Sequence, residues 1–273
     1  MLTDERTRLG ETHNQDGTKL PLAARDEQRH PSVDPARRNA GTARCAGYAP
    51  AAGFATRAVK RALDVVVAGS ALVVAAPLIA LIAVLIVLES PGPVLYHVER
   101  VGYRGRPLRM AKFRKMRRGA RGAALTAAGD SRLTRVGAWL ARTRLDELPQ
   151  LWHVVRGEMS LVGPRPEHFG FVVRHPLEYG RILSVRPGMT GLSQLAFARE
   201  REVLDEADPL DHYVTRLLPQ KIELDRLYAA TLTVRGDVAV LLATVATLLL
   251  GQSIAVDRRS GRLTRRHRPS ERA

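Results

Sequence analysis

Two adjacent carboxylates, Asp146 and Glu147, stand in Leu145-Asp146-Glu147-Leu148-Pro149-Gln150, with Arg142 and Arg144 just before them. A carboxylate ringed by cations is held ionised. It can then attack a phosphoryl group while its neighbour holds a divalent cation. The same residues admit a second reading. Thr143 with Asp146 three positions on matches a capping box, and acidic residues near a helix start are favoured by its dipole. The pair alone leaves both readings open. Three basic clusters could serve an anion. In Gly163-Pro164-Arg165-Pro166-Glu167, two prolines fix the backbone around one guanidinium. In Ser184-Val185-Arg186-Pro187-Gly188-Met189-Thr190-Gly191, the glycines would let backbone amides approach a phosphate. In Lys112-Phe113-Arg114-Lys115-Met116-Arg117-Arg118, a strand would put Lys112 and Arg114 on one face. Each cluster also reads as a rigid turn, an incidental loop or a basic stretch against lipid headgroups.

The elements that must position these groups begin with a membrane segment. Val65 to Leu88 carries no charge over 24 residues, enough to span a bilayer as one helix. Pro77 in its middle removes a backbone hydrogen bond. Both flanks are basic: Lys60 and Arg61 before it, and ten Lys and Arg without an acid from Arg100 to Arg121. Basic flanks favour the cytoplasmic side for both ends. A helix–break–helix that enters and leaves one leaflet satisfies both features, while a spanning helix with a tolerated Pro remains open. Beyond Ser90-Pro91-Gly92-Pro93, Pro93–Val98 and Pro107–Phe113 read as strands around Gly102-Tyr103-Arg104-Gly105. Val136–Leu140 and Leu148–Val155 have helical spacing. Pro209–Tyr228 reads as helix with a break at Pro219, and Val238–Leu250 as a short apolar helix, buried or interfacial.

Of 273 residues, 43 are Lys or Arg against 27 Asp or Glu, a formal charge of +16, and only five of the basic residues are Lys. Arginine forks suit phosphates, whether in nucleic acid, anionic lipid or a small molecule. Nucleic acid is disfavoured, because five Phe and two Trp offer little for base stacking and no helix-turn-helix or RNA-binding signature appears. One cysteine, Cys45, excludes a disulfide framework and a Cys-based zinc site. No P-loop, Gly-x-Gly-x-x-Gly or serine elbow is present. Residues 1–56 read as a disordered, nearly neutral arm, 57–252 as the functional domain, and 253–273 as a basic tail, solvated or held at an anionic membrane.

Taken in order, these segments resemble the bacterial sugar transferase family, the monotopic phosphoglycosyl transferases that act on polyprenyl phosphate. The resemblance rests on Lys60-Arg61-Ala62-Leu63-Asp64, Ser90-Pro91-Gly92-Pro93, Glu99-Arg100-Val101-Gly102, Lys112-Phe113-Arg114, Leu145 to Leu151, Met159 to Pro166 and Val185-Arg186-Pro187-Gly188. It implies transfer of a sugar-1-phosphate from a UDP-sugar to undecaprenyl phosphate with release of UMP, as the first membrane step of exopolysaccharide, capsule or other glycan assembly. It further implies Asp146 as nucleophile, Asp146 and Glu147 as holders of Mg²⁺, and Lys112, Arg114, Arg165 and Arg186 as phosphate-binding groups. The implied fold is α+β and mainly helical. It has a re-entrant membrane hairpin over about 62–88 broken at Pro77, a small β-hairpin, catalytic helices on the cytosolic face and an interfacial C-terminal helix. The implied location is the cytoplasmic membrane, with downstream glycosyltransferases as pathway partners. Departures from the family pattern are Ala141 for Arg, Ala76 for Ser and Val98 for Gln. Ala141 keeps open an alternative, a membrane-anchored scaffold without catalysis. Contacts to the sugar are expected in 169–184 or 194–204.

Overall fold

The computed structural model describes Tyr48 and residues 50–120, 130–198 and 209–265. The expected arm over 1–56 lies mostly outside the described residues, as do 199–204 of the expected sugar-contact stretch and 266–273 of the tail. The first helix, α1, runs over Phe54–Glu89 with Pro77 inside it. Helical structure continues through the proline, so two separate helices do not appear as such. The buried side chains of α1 fall into two groups, Lys60, Asp64 and Ala68 near its start and Ile82 and Ile86 near its end. Each group repeats every four residues and so lies on one face. Between them the helix is bare, with Val73 and Val74 at least three-quarters exposed. Among the described residues, α1 is the helix long and apolar enough to cross a membrane.

Both ends of α1 are bound to the polar domain that follows. Near the start, the Arg61 guanidinium donates to the carbonyls of Val154 (2.6 Å) and Val155 (2.8 Å). At the end, Glu89 accepts from the backbone N–H groups of Arg135 (2.6 Å) and Val136 (2.9 Å). Those two amides open helix α2, Arg135–Thr143, so Glu89 satisfies donors that a helix start leaves unpaired.

Strands β1 (Leu95–Val101) and β2 (Pro107–Phe113) pair antiparallel around a turn at Tyr103–Gly105. After α2 come a 3₁₀ turn, Leu145–Glu147, and helix α3, Gln150–Arg156. His153 of α3 fixes β2 on this helix: its Nε2 accepts from the Ala111 N–H at 3.1 Å and its Nδ1 meets Glu158 at 2.6 Å. Short strands β3 (Ser160–Val162) and β4 (Gly188–Thr190) pair in parallel, which sequence periodicity does not reveal at three residues each. Helices α4 (Phe169–Val172) and α5 (Pro176–Ile182) lie between them, and α6 (Leu192–Ala196) follows.

The break expected at Pro219 is not there. Helix α7, Pro209–His212, passes through a π-helical turn, Tyr213–Leu217, into α8, Leu218–Thr231. The wider turn comes immediately before Pro219, and its shifted hydrogen bonding accommodates a proline inside a continuous helical run. Helix α9, Val234–Leu250, is capped by Thr233 and leaves Leu242, Val245, Leu248, Leu249 and Leu250 exposed. In the stretch expected as a basic tail, β5 (Ile254–Val256) and β6 (Leu263–Arg265) form a hairpin, with Val256 and Leu263 packed on the core.

A buried polar cluster ties α1 to this body. Lys60 Nζ donates to Asp237 of α9 (2.5 Å) and to the Val162 carbonyl (3.0 Å). Asp64 accepts from the Ser160 hydroxyl (2.8 Å) and the Leu161 N–H (3.1 Å), and the Tyr228 hydroxyl donates to Asp237 (2.8 Å). Apolar packing surrounds the cluster, with Ala68, Met110, Val154, Met159, Leu224 and Val240 among its members.

Candidate active site

Asp146 and Glu147 lie on the 3₁₀ turn between α2 and α3. The capping box does not form. The Thr143 hydroxyl turns back to the Trp139 carbonyl at 2.9 Å, inside α2. Arg144 then adopts φ 58° and ψ 14°, a left-handed conformation uncommon for a residue with a Cβ. That reversal ends α2 and aims the two carboxylates away from it. Asp146 is 4% exposed, and its Oδ2 meets Lys115 Nζ at 3.0 Å. Glu147 Oε1 meets Lys112 Nζ at 2.8 Å and Arg165 Nη2 at 3.2 Å.

Burial alone would push the Glu147 carboxyl up, yet Arg165 and Lys112 outweigh it and hold the group well below the usual carboxylate range. Lys112 is shifted down, first by burial and then by repulsion from Arg165, with Glu147 opposing both. Arg165 is shifted up by Glu147. The result is a Glu147 carboxylate held ionised, with Lys112, Lys115 and Arg165 paired to the two adjacent acids.

Of the residues expected at the site, Asp146, Glu147, Lys112 and Arg165 come together. Arg114 and Arg186 do not join them. Arg114 follows the end of β2 and its guanidinium donates to the carbonyls of Ser90 and Pro91, fixing the turn after α1. Arg186 donates to the Gly157 carbonyl at 2.9 Å and lies 5.3 Å from the Tyr103 ring centre, at the far end of the hairpin from Lys112. Lys115 was not among the expected phosphate-binding residues. The strand alternation that selects Lys112 and Arg114 ends at Phe113, and the chain then turns Lys115 to Asp146. Gly137 makes room for this turn, since a Cβ there would lie 1.9 Å from the Lys115 carbonyl oxygen.

The glycines near Arg186 serve the backbone rather than an anion. The Gly188 N–H donates to the Pro164 carbonyl at 2.8 Å, and the Gly163 N–H to the Thr190 carbonyl at 2.8 Å. A Cβ on Gly188 would lie 2.1 Å from the Gly163 nitrogen. The two Arg-Pro segments are thus packed backbone to backbone, and that contact sets the direction in which Arg165 leaves its loop.

The carboxylates also suit a hard divalent cation. Mg²⁺ is commonly held by one or two carboxylates, with waters and substrate phosphates completing its shell. The ion pairs to Lys112, Arg165 and Lys115 use Oε1 of Glu147 and Oδ2 of Asp146, so among the described residues the other oxygen of each has no ion-pair partner. One helical turn beyond Asp146, the Gln150 amide is 2% exposed and its Nε2 has no hydrogen-bond partner among the described residues, an orphan donor beside the pair.

The structure thus joins an apolar helix, bound at both ends to a small α+β body, to a cation-paired carboxylate pair on a turn. A family profile described as bacterial sugar transferase matches residues 55–251, and the chain belongs to that family. It is 40% identical over 195 residues to a UDP-glucose:undecaprenyl-phosphate glucose-1-phosphate transferase of Caulobacter vibrioides, covering 70% of this chain and 69% of the relative. It is 38% identical over 200 residues to a UDP-N-acetylgalactosamine-undecaprenyl-phosphate N-acetylgalactosaminephosphotransferase of Aeromonas hydrophila, covering 71% of this chain and 44% of the relative. A putative undecaprenyl-phosphate N-acetylgalactosaminyl 1-phosphate transferase of Bacillus subtilis is 48% identical over 112 residues, 40% of this chain and 63% of that protein. The match thus spans less than half of the Aeromonas relative's length.

Proposed function

We propose that this chain transfers a sugar-1-phosphate from a UDP-sugar to undecaprenyl phosphate and releases UMP, beginning the assembly of an exopolysaccharide or other glycan. The observation that carries the reading is the Asp146–Glu147 pair, buried among Lys112, Lys115 and Arg165 in a chain of this family. An Asp146 oxygen attacks the β-phosphorus of the donor. The bond from that phosphorus to the bridging oxygen breaks, and UMP leaves with the electron pair. A phosphoglycosyl-aspartate remains. An oxygen of the lipid phosphate then attacks the same phosphorus, the bond to Asp146 breaks, and the carboxylate is regenerated. Displacement at phosphorus gains most from positioning and from charge stabilisation where charge develops. Lys115 holds the nucleophile in place, while Lys112 and Arg165 orient Glu147 and offset donor charge. Mg²⁺ held by Asp146 and Glu147 would supply further neutralisation of the diphosphate.

The proposed location is the cytoplasmic membrane, with α1 re-entrant and the site facing the cytosol. What supports re-entry is that Arg61 and Glu89 bind one and the same domain, α3 and α2 respectively. On a straight helix the 28 residues between them would span about 42 Å, more than a bilayer core of about 30 Å. The bare middle of α1 around Pro77 would then sit among acyl chains. A soluble nucleotide sugar and a membrane-borne phosphate meet at the plane where α1 returns.

The test is UMP release by purified protein in nanodiscs with Mg²⁺, undecaprenyl phosphate and a panel of UDP-sugars, beside Asp146→Asn. Release that requires both the lipid phosphate and Asp146 is expected. Release that survives Asp146→Asn, or none with any donor from folded protein, would overturn the reading.

A further inference from the structure

A cavity of about 120 Å³ opens beside the carboxylates, lined by Arg144, Arg165, Ser193, Gln194, Phe197 and Lys221, with Ala198 at its rim. Arg165 belongs both to this wall and to the contact with Glu147, so the cavity and the reacting groups share a side chain. No residue of α1 or α9 lines it, so it turns away from the two helices with bare apolar faces. An occupant therefore comes from water rather than from lipid. The wall carries three cations and one aromatic ring. Lys221 Nζ lies 5.9 Å from the Phe197 ring centre, and the Arg144 guanidinium donates to the Ala198 carbonyl at 2.9 Å. The Gln194 Oε1 lies 3.0 Å from the Ser193 hydroxyl oxygen, and the Gln194 Nε2 has no hydrogen-bond partner among the described residues. Behind Ser193, the buried Asp225 accepts from the same hydroxyl at 2.7 Å and closes the floor.

Cations alone would suit any phosphate. An aromatic face and an amide edge beside them suit a planar heterocycle with carbonyl and N–H groups on its rim. The space holds several waters, hence a single ring, while the rest of a nucleotide sugar must lie outside it, toward Asp146.

We propose that this cavity receives the pyrimidine base of the donor, with Phe197 against the ring, Gln194 at its polar edge, and the ribose and phosphates outside it, toward Arg165 and Asp146. The assignment rests on the transfer reading above. It gives the leaving UMP a place of its own beside Arg165, with the sugar phosphate left over the carboxylates. The left-handed Arg144 then has a use, since one residue both turns Asp146 into the site and sends its guanidinium to the cavity.

Binding of UMP and of inorganic phosphate to the full chain in detergent, without turnover, tests this. Phe197→Leu keeps apolar volume and removes the ring face, while Phe197→Tyr keeps both. UMP is expected to bind more tightly than inorganic phosphate, and Phe197→Leu to weaken UMP about tenfold while leaving inorganic phosphate unchanged. Phe197→Tyr should restore UMP binding. In the transfer assay, Phe197→Leu should raise KM for the UDP-sugar with kcat within about twofold and KM for the lipid phosphate unaltered. Equal affinity for UMP and inorganic phosphate, UMP binding indifferent to Phe197→Leu, or a change in KM for the lipid alone would each overturn the assignment. If UMP binds in a Phe197-dependent way but no lipid product forms, the transfer reading fails and the cavity assignment stands. If transfer proceeds and Phe197 is irrelevant to UMP, the reverse holds.

Discussion

A carboxylate proposed as a nucleophile needs to be aimed, and here Lys115 pairs with Asp146 while Lys112 and Arg165 hold the neighbouring Glu147. Lys115 touches Asp146 directly, so Lys115→Met should lower kcat on the order of a hundredfold with a smaller change in donor KM, read from steady-state transfer. An unchanged kcat would make Lys115 structural only. Asp225 is a different kind of buried acid. Burial lifts its carboxyl to about 7, with the Ser193 hydrogen bond opposing and Glu167 adding to the rise. The unfolded chain ionises near pH 4 while the folded chain keeps this proton to about 7, so the group's contribution to stability falls between those values and levels above them. Asp225→Asn should therefore gain thermal midpoint relative to wild type as pH rises from 4 to 7, and the difference should be flat beyond. The family resemblance, not motif chemistry alone, singled out Asp146, Glu147, Lys112 and Arg165, which the fold brings together. Lys115 escaped because a strand alternation was carried two residues past the strand's end. Arg114 and Arg186 sit apart from the carboxylate pair, with donors directed to the carbonyls of Ser90, Pro91 and Gly157.

At the level of elements, the pieces that place the site are short and polar contacts lock them. Long periodic segments such as α1, β2, α3 and α9 follow from apolar spacing and turn residues. The parallel pair β3–β4 does not, because three residues carry no period and the pairing depends on the contact between Gly163 and Gly188. Nor does the π-helical turn before Pro219, a tertiary accommodation that keeps Tyr213 and Leu217 buried. The cluster of Lys60, Asp64, Asp237 and Tyr228 is the main joint between α1 and the body. Lys60→Met leaves Asp237 buried without its cation and should cost about 3–5 kcal/mol. Adding Asp237→Leu should recover most of that loss, since the Tyr228 hydroxyl still has the Val162 carbonyl at 2.9 Å. Thermal unfolding of the single and double variants in one detergent checks this. Equal losses would mean that the pair is not coupled.

For the whole molecule, two bare apolar helices and a water-facing cavity set an orientation. The proposed orientation puts the exposed apolar faces of α1 and α9 toward lipid and the cavity by Arg165 toward solvent. If α1 re-enters, both of its ends are on one side of the membrane. With Cys45 replaced, single cysteines at Arg57 and at Ser90 should both react with an impermeant maleimide in inside-out vesicles and neither in right-side-out ones. Labelling of one end from each side would mean a spanning helix. The uncharged run Val65–Leu88 pointed to a long apolar helix, which α1 is, while composition left the class of anionic partner open. It could not give the way in which Arg61 and Glu89 return to one domain, because that depends on contacts made 93 and 46 residues away in the chain.

The central claim is that Asp146 carries the sugar phosphate between donor and acceptor. Intact-protein mass measurement after incubation with a UDP-sugar and Mg²⁺, without lipid phosphate, tests it most directly. The mass should rise by one sugar phosphate in wild type, the adduct should map to Asp146, and added undecaprenyl phosphate should discharge it. Turnover without any adduct, or an adduct that persists in Asp146→Asn, would contradict the account.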